Sequence, residues 1–145
     1  MARILAVDWG ERRIGLAVSD PRGVIATGLP TLEVRGAADA LARVSAIAAE
    51  QEVERVVVGM PLLLSGERGE AARAAQAFAD ALAARSGLPV ETYDERLTSA
   101  LSQRRLRETG VRAGHHKAKV DQGAAVALLE SWLQRREAGR RLGAE

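Results

Sequence analysis

The sequence predicts an α/β fold: a mixed five-stranded sheet, in the order β-β-β-α-β-α-β-α-α, with helices on both faces. Three observations carry that expectation. The apolar runs at 4–7 and 56–58 are continuous rather than alternating, as in strands buried on both sides. Between about residues 38 and 85 the apolar period changes to that of a helix, interrupted once by Val56-Val57-Val58. The length of 145 residues, with 47% hydrophobic and 28% charged, suits one soluble domain around one core. That domain is expected over residues 1–138, with a polar tail at 139–145.

The elements follow in order. The first strand, 4–7, ends at Asp8-Trp9-Gly10, and 14–18 (Ile-Gly-Leu-Ala-Val) returns close enough to pair antiparallel through a short turn. A third strand comes from 24–27 or from a stretch reaching Val34 past Pro30. Leu41, Val44, Ile47 and Ala48 share one helical face, and the next strand stops at Gly59-Met60-Pro61-Leu62, which reads as a strand terminator and rigid turn rather than as a loop approaching a substrate. A helix over about 67–85 presents Ala71, Ala74, Ala75, Phe78 and Leu82 inward and ends at Gly87 and Pro89. The strand at 90–93 leads into Asp94-Glu95-Arg96, then a helix that Thr98 caps and Gly110 ends. Residues 111–118 read as a mobile basic loop, and the last helix runs from about 119 to 137. Each crossover is expected to be right-handed.

Composition excludes several classes. With no cysteine there is no disulfide scaffold, thiolate zinc site or cysteine nucleophile. Asp8 follows only four apolar residues, too few for a signal-peptide core or a membrane span, so a cytoplasmic protein is expected. Aromatic residues are 3% of the chain, which leaves little stacking platform for single strands. Trp9, Tyr93 and Trp132 read as packing residues. The net charge of +2 hides an asymmetry: residues 1–95 carry ten basic and fourteen acidic side chains, residues 96–145 eleven and five. The positive field is therefore expected in the C-terminal third, facing a polyanion.

The acids mark a site. Asp8 ends the first strand and Glu95 follows the last, at the edge where open α/β sheets bind ligands. Asp121 shares a helical stripe with Ala124, Ala125, Leu128 and Trp132, so an inward face carries a carboxylate that must be paired or bound to a cation. Three converging carboxylates repel one another, by roughly 4 kcal/mol per pair at 4 Å and an effective dielectric near 20. They would recruit a cation, and hard oxygen donors select Mg²⁺ or Mn²⁺. The chemistry implied is metal-assisted phosphodiester hydrolysis. Arg13, Arg96, Thr98, Lys117 and Lys119 are candidate phosphate contacts, while His115 and His116 read as solvated. Asp8-x-Gly10 also opens the phosphate motif of actin-like and sugar-kinase folds, but those need a second domain that this length does not provide.

Asp8-Trp9-Gly10 with Ile14-Gly15-Leu16-Ala17-Val18, Gly59-Met60-Pro61-Leu62 with Gly66 and Phe78, Asp94-Glu95-Arg96-Leu97-Thr98, and Lys119-Val120-Asp121 with Ala124-Ala125 occur in the order of a known family. The chain resembles the YqgF, or RuvX-type, Holliday-junction resolvases, also described as nucleases maturing the 5′ end of the small-subunit ribosomal RNA precursor. The resemblance spans residues 4 to about 133. It implies a ribonuclease H-like fold, Asp8, Glu95 and Asp121 as metal-binding catalytic acids, Mg²⁺ or Mn²⁺ as cofactor, and precursor RNA or branched DNA as partner, with a monomer or homodimer acting. Related resolvases often carry a fourth acid one turn after the last, where this chain has Ala124 and Ala125. The competing expectation is a nucleic-acid-binding or ribosome-assembly factor without catalysis.

Overall fold

A computed structural model describes residues 3–63, 65, 67–98 and 115–143, with the side chains of the last helix described over 123–140. Strands β1 (Arg3–Asp8), β2 (Arg13–Ser19) and β3 (Ala26–Glu33) precede helix α1 (Ala37–Glu50); β4 (Val53–Met60), α2 (Glu70–Ser86) and β5 (Val90–Asp94) follow. A 3-10 turn, Glu95–Leu97, leaves β5, and α3 spans His115–Gly143. The five strands lie in the order β3-β2-β1-β4-β5. β1–β2 and β2–β3 are antiparallel, whereas β1–β4 and β4–β5 are parallel. This is the mixed sheet expected from sequence. The helix expected over 98–110 lies outside the described residues from 99 onward.

Alternation along the central strands divides the core into two layers. Leu5, Val7, Val56 and Val58 pack with α1 and α2 residues such as Val44, Phe78 and Leu82. Ile4, Ala6 and Val57 pack on the other face with Ala124, Ala125, Leu128, Leu129 and Trp132 of α3. Burial on both faces explains the continuous apolar runs.

The structure decides one open alternative, the third strand, in favour of the stretch past Pro30, and differs from the sequence reading at two places for physical reasons. β3 runs through Pro30 to Glu33, which an edge strand tolerates because an outward-facing position needs no ladder N–H. The buried stripe of α2 is Ala72, Ala75, Phe78, Ala79 and Leu82, while Ala71 and Ala74 are exposed. In a helix this rich in alanine the face is set by its two large residues, and the stripe centres on them. α3 begins at His115, so 115–118 are helical rather than loop, and it continues through 139–143. Gly87 closes α2 with a left-handed φ of 73°, as expected.

Candidate active site

Parallel pairing brings the C-terminal ends of β1, β4 and β5 to one edge, and that edge holds the acids. Asp8 is the last residue of β1 and is fully buried. It alternates with Ala6 and Ile4, so it belongs to the α3 face of the sheet. Trp9 is therefore on the opposite face, where its ring stacks on Phe78 with centroids 4.6 Å apart. Gly10 then allows the turn: a β-carbon there would collide with the Arg13 carbonyl oxygen.

Glu95, 1% exposed, reaches the same face by a different route. It sits in the 3-10 turn after β5 and folds back over β4. Gly59 continues the alternation of Val57, so its missing side chain would point toward α3. A β-carbon at Gly59 would stand 2.6 Å from Glu95 Oε1 and 3.2 Å from its Cγ and Cδ. The notch left by glycine is thus where the Glu95 side chain lies. Val7 pairs with Val58, so Asp8 comes level with Gly59 on the neighbouring strand. The backbones of Asp8 and Gly59 are thus one strand spacing apart, roughly 5 Å, and the Glu95 carboxylate lies over the second of them. Sequence reasoning gave Gly59 only the task of ending a strand. The signal that points further was a glycine directly after Val56-Val57-Val58, since glycine in a strand marks close approach.

The turn that presents Glu95 is braced on both sides. Asp94 Oδ1 accepts from the Arg96 backbone N–H at 2.9 Å, and the Arg96 guanidinium forks onto both Asp94 oxygens, with Nη2 to Oδ2 at 2.8 Å. Hydrogen bonds from the Arg96 side chain hold the Asp94 carboxyl below the usual aspartate range and hold Arg96 above its own. Thr98 donates its N–H and its hydroxyl to the Glu95 carbonyl, at 3.0 and 2.9 Å. The Tyr93 hydroxyl bonds Ser131 Oγ on α3 at 3.0 Å, tying the strand before Glu95 to the helix that carries Asp121.

Asp121 lies in the second turn of α3, three and four residues before Ala124 and Ala125, both fully buried against the sheet. Ala124 and Ala125 face the layer that holds Asp8 and Glu95; the side chain of Asp121, like those of His115, His116, Lys117 and Lys119, lies outside the described residues. Arg13 pairs with Glu33 at 3.1 Å. Among the described residues no three metal-ligating side chains cluster. The donor set of Asp8 and Glu95 is all hard oxygen, deeply buried and on one face, which fits Mg²⁺ or Mn²⁺. Ala124 and Ala125 sit inside the core, so the helix supplies no second carboxylate there.

The family described as "RuvX: Holliday junction resolvase" matches residues 2–135. The chain belongs to that family. Relatives of this RuvX-family chain include proteins named "Putative pre-16S rRNA nuclease" from Chloroflexus aggregans and Anaeromyxobacter dehalogenans. The first is 46% identical over 133 residues, covering 92% of this chain and 94% of the relative. The second is 46% identical over 134 residues, covering 92% and 98%. Among solved structures, T. thermophilus RuvC in complex with Holliday junction substrate aligns with a TM-score of 0.58 at 18% identity, covering 94% of this chain and 97% of that one. The yeast mitochondrial Holliday junction resolvase Ydc2 aligns with a TM-score of 0.54 at 10% identity, covering 97% and 82%. The RuvX-family chain thus has the ribonuclease H-like fold expected from its sequence and belongs to a nuclease family.

Proposed function

We propose that this protein is a divalent-metal-dependent nuclease that hydrolyses phosphodiester bonds, processing the 5′ end of the 16S ribosomal RNA precursor in the cytoplasm. The observation that carries the reading is the pair of buried carboxylates, Asp8 and Glu95, on one sheet face beneath the helix that bears Asp121. The names of the curated relatives support the RNA substrate. The family description supports a second reading, resolution of branched DNA. The catalytic unit is residues 1–138.

Asp8, Glu95 and Asp121 would hold Mg²⁺ or Mn²⁺, which when bound activates a water and stabilises the leaving oxygen at the scissile phosphate. The chain's own part is geometric. Strand β1 fixes Asp8, the Gly59 notch and the braced turn fix Glu95, and Tyr93–Ser131 fixes α3 relative to β5. Burial keeps bulk water from the carboxylates and strengthens their hold on a cation. Arg13, Arg96, Thr98, Lys117 and Lys119 are assigned to the phosphates on either side, with Arg96 presented by its fork on Asp94.

The test is a substrate panel of precursor rRNA, single-stranded RNA and a four-way DNA junction with Mn²⁺, with light scattering for mass. Junction resolution needs two symmetric cuts and hence a two-fold dimer, whereas end trimming needs only a monomer. Asp8→Asn and Glu95→Gln should each lower cleavage by about a thousandfold or more and weaken Mn²⁺ binding by calorimetry. Cleavage that persists in both variants would overturn the assignment to these acids, and a parent that binds but yields no metal-dependent product would leave a binding or assembly factor as the function.

A further inference from the structure

The expected positive field lay in the C-terminal third, yet a second cationic surface stands at the active end of the sheet. The β1–β2 turn and the link from β3 to α1 meet there, joined by the Val34 N–H donating to the Arg12 carbonyl at 2.8 Å. Four arginines gather on these segments and the first half of α1: Arg12, Arg13, Arg35 and Arg43. Two of them answer the local acids. Arg13 pairs with Glu33, and Arg43 donates to the Glu33 carbonyl and stands 3.8 Å from Asp39. Asp39 also accepts the Arg35 backbone N–H at 2.9 Å. Arg12 and Arg35 are exposed, and neither guanidinium makes an ion pair or hydrogen bond among the described residues. With Glu11, Val34 and Gly36 they line an open hollow of about 260 Å³.

We propose that Arg12 and Arg35 form a guide for the phosphate backbone of the nucleic acid, adjacent to the cleavage site. The proposal rests on the nuclease reading above and adds where the substrate runs. β3 is two strands from β1, about 10 Å, so the guide engages the strand within a few nucleotides of the scissile phosphate. Two guanidiniums without a partner among the described residues present planar donor forks that match phosphate oxygens. Glu11, the remaining acid of the hollow, is exposed and repels a strand that strays toward it.

The experiment measures binding in an Asp8→Asn background, which removes cleavage, by fluorescence anisotropy on precursor RNA and on a four-way junction between 50 and 300 mM salt. The Arg12→Ala/Arg35→Ala double variant should bind about tenfold more weakly at the lowest salt, and its slope of log affinity against log salt should fall by about one per arginine. Arg22→Ala/Arg140→Ala removes the same charge at the opposite end of the sheet and should leave the slope unchanged. An unchanged slope in the first variant, or an equal fall in both, overturns the guide while leaving the nuclease reading intact. Absence of binding by the parent to either probe overturns both. Melting temperatures within a degree of the parent confirm that each variant is folded.

Discussion

The two ends of the sheet use polar side chains for opposite purposes. At the end where β2 turns into β3, Asp20 accepts the backbone N–H groups of Val24 and Ile25 at 2.7 and 2.8 Å, and those bonds hold its carboxyl below the usual range. Nearby, Trp132 Nε1 donates to Glu91 at 3.0 Å and the Arg136 guanidinium covers the indole at 4.9 Å. Every one of these groups serves local structure. At the other end two carboxylates are buried in positions that no strand or turn requires, and burying them costs stability unless something compensates. Braces around the acids therefore read as positioning, whereas bonds at the far end read as folding.

Substitutions at the two ends should consequently separate stability from turnover. The largest effect is expected at the far end. Trp132→Ala removes a nearly buried indole with its hydrogen bond and stacked cation, and should lower unfolding free energy by about 3 to 5 kcal/mol in urea melts. Its cleavage rate per folded molecule, read well below the transition, should stay within about twofold. A comparable loss of turnover would mean that the two ends are coupled.

Gly59→Ala should do the reverse. The added methyl meets the flexible end of Glu95 rather than backbone, so the side chain shifts and the fold survives. A displacement of about 1 Å costs roughly a hundredfold in turnover, with the melting temperature nearly unchanged and Mn²⁺ affinity reduced. Wild-type turnover in this variant would show that the notch is incidental.

Asp94→Asn is the mildest. It loses the charged half of the fork with Arg96 and should cost about 1 kcal/mol after allowance for partial exposure. Because the folded carboxyl titrates below its ordinary value of 3.8, its stabilisation is complete above that pH and is lost as pH falls through the lowered folded value. The gap between wild type and variant should therefore hold at neutral pH and close in strong acid. A gap that persists at low pH would locate the effect outside the ion pair.

Much of this is legible in the sequence. Strand positions, the two-faced burial of β1 and β4, and the α3 stripe of Ala124, Ala125, Leu128 and Trp132 follow from apolar spacing alone. The burial of Asp8 and Glu95 at one edge was also legible, because strand ends in parallel sheets converge. What remained hidden depended on contacts across strands. Gly59 and Glu95 are distant in sequence, so the notch becomes visible only when β5 pairs with β4. The four arginines scatter over residues 12–43, and only the sheet order gathers them while Glu33 and Asp39 draw off two. The inward face of α2 was shifted because alanine does not distinguish one side of a helix from another.

The placement of the two tryptophans has an optical consequence. Trp9, buried on Phe78, directly follows Asp8, while Trp132 lies beside Glu91 on β5 and under Arg136. Replacing Trp132 by phenylalanine leaves Trp9 as the single tryptophan, one residue from the carboxylate, so its selectively excited fluorescence becomes a label-free gauge of cation capture. Unlike the cleavage assays, that gauge needs no nucleic acid in the cuvette.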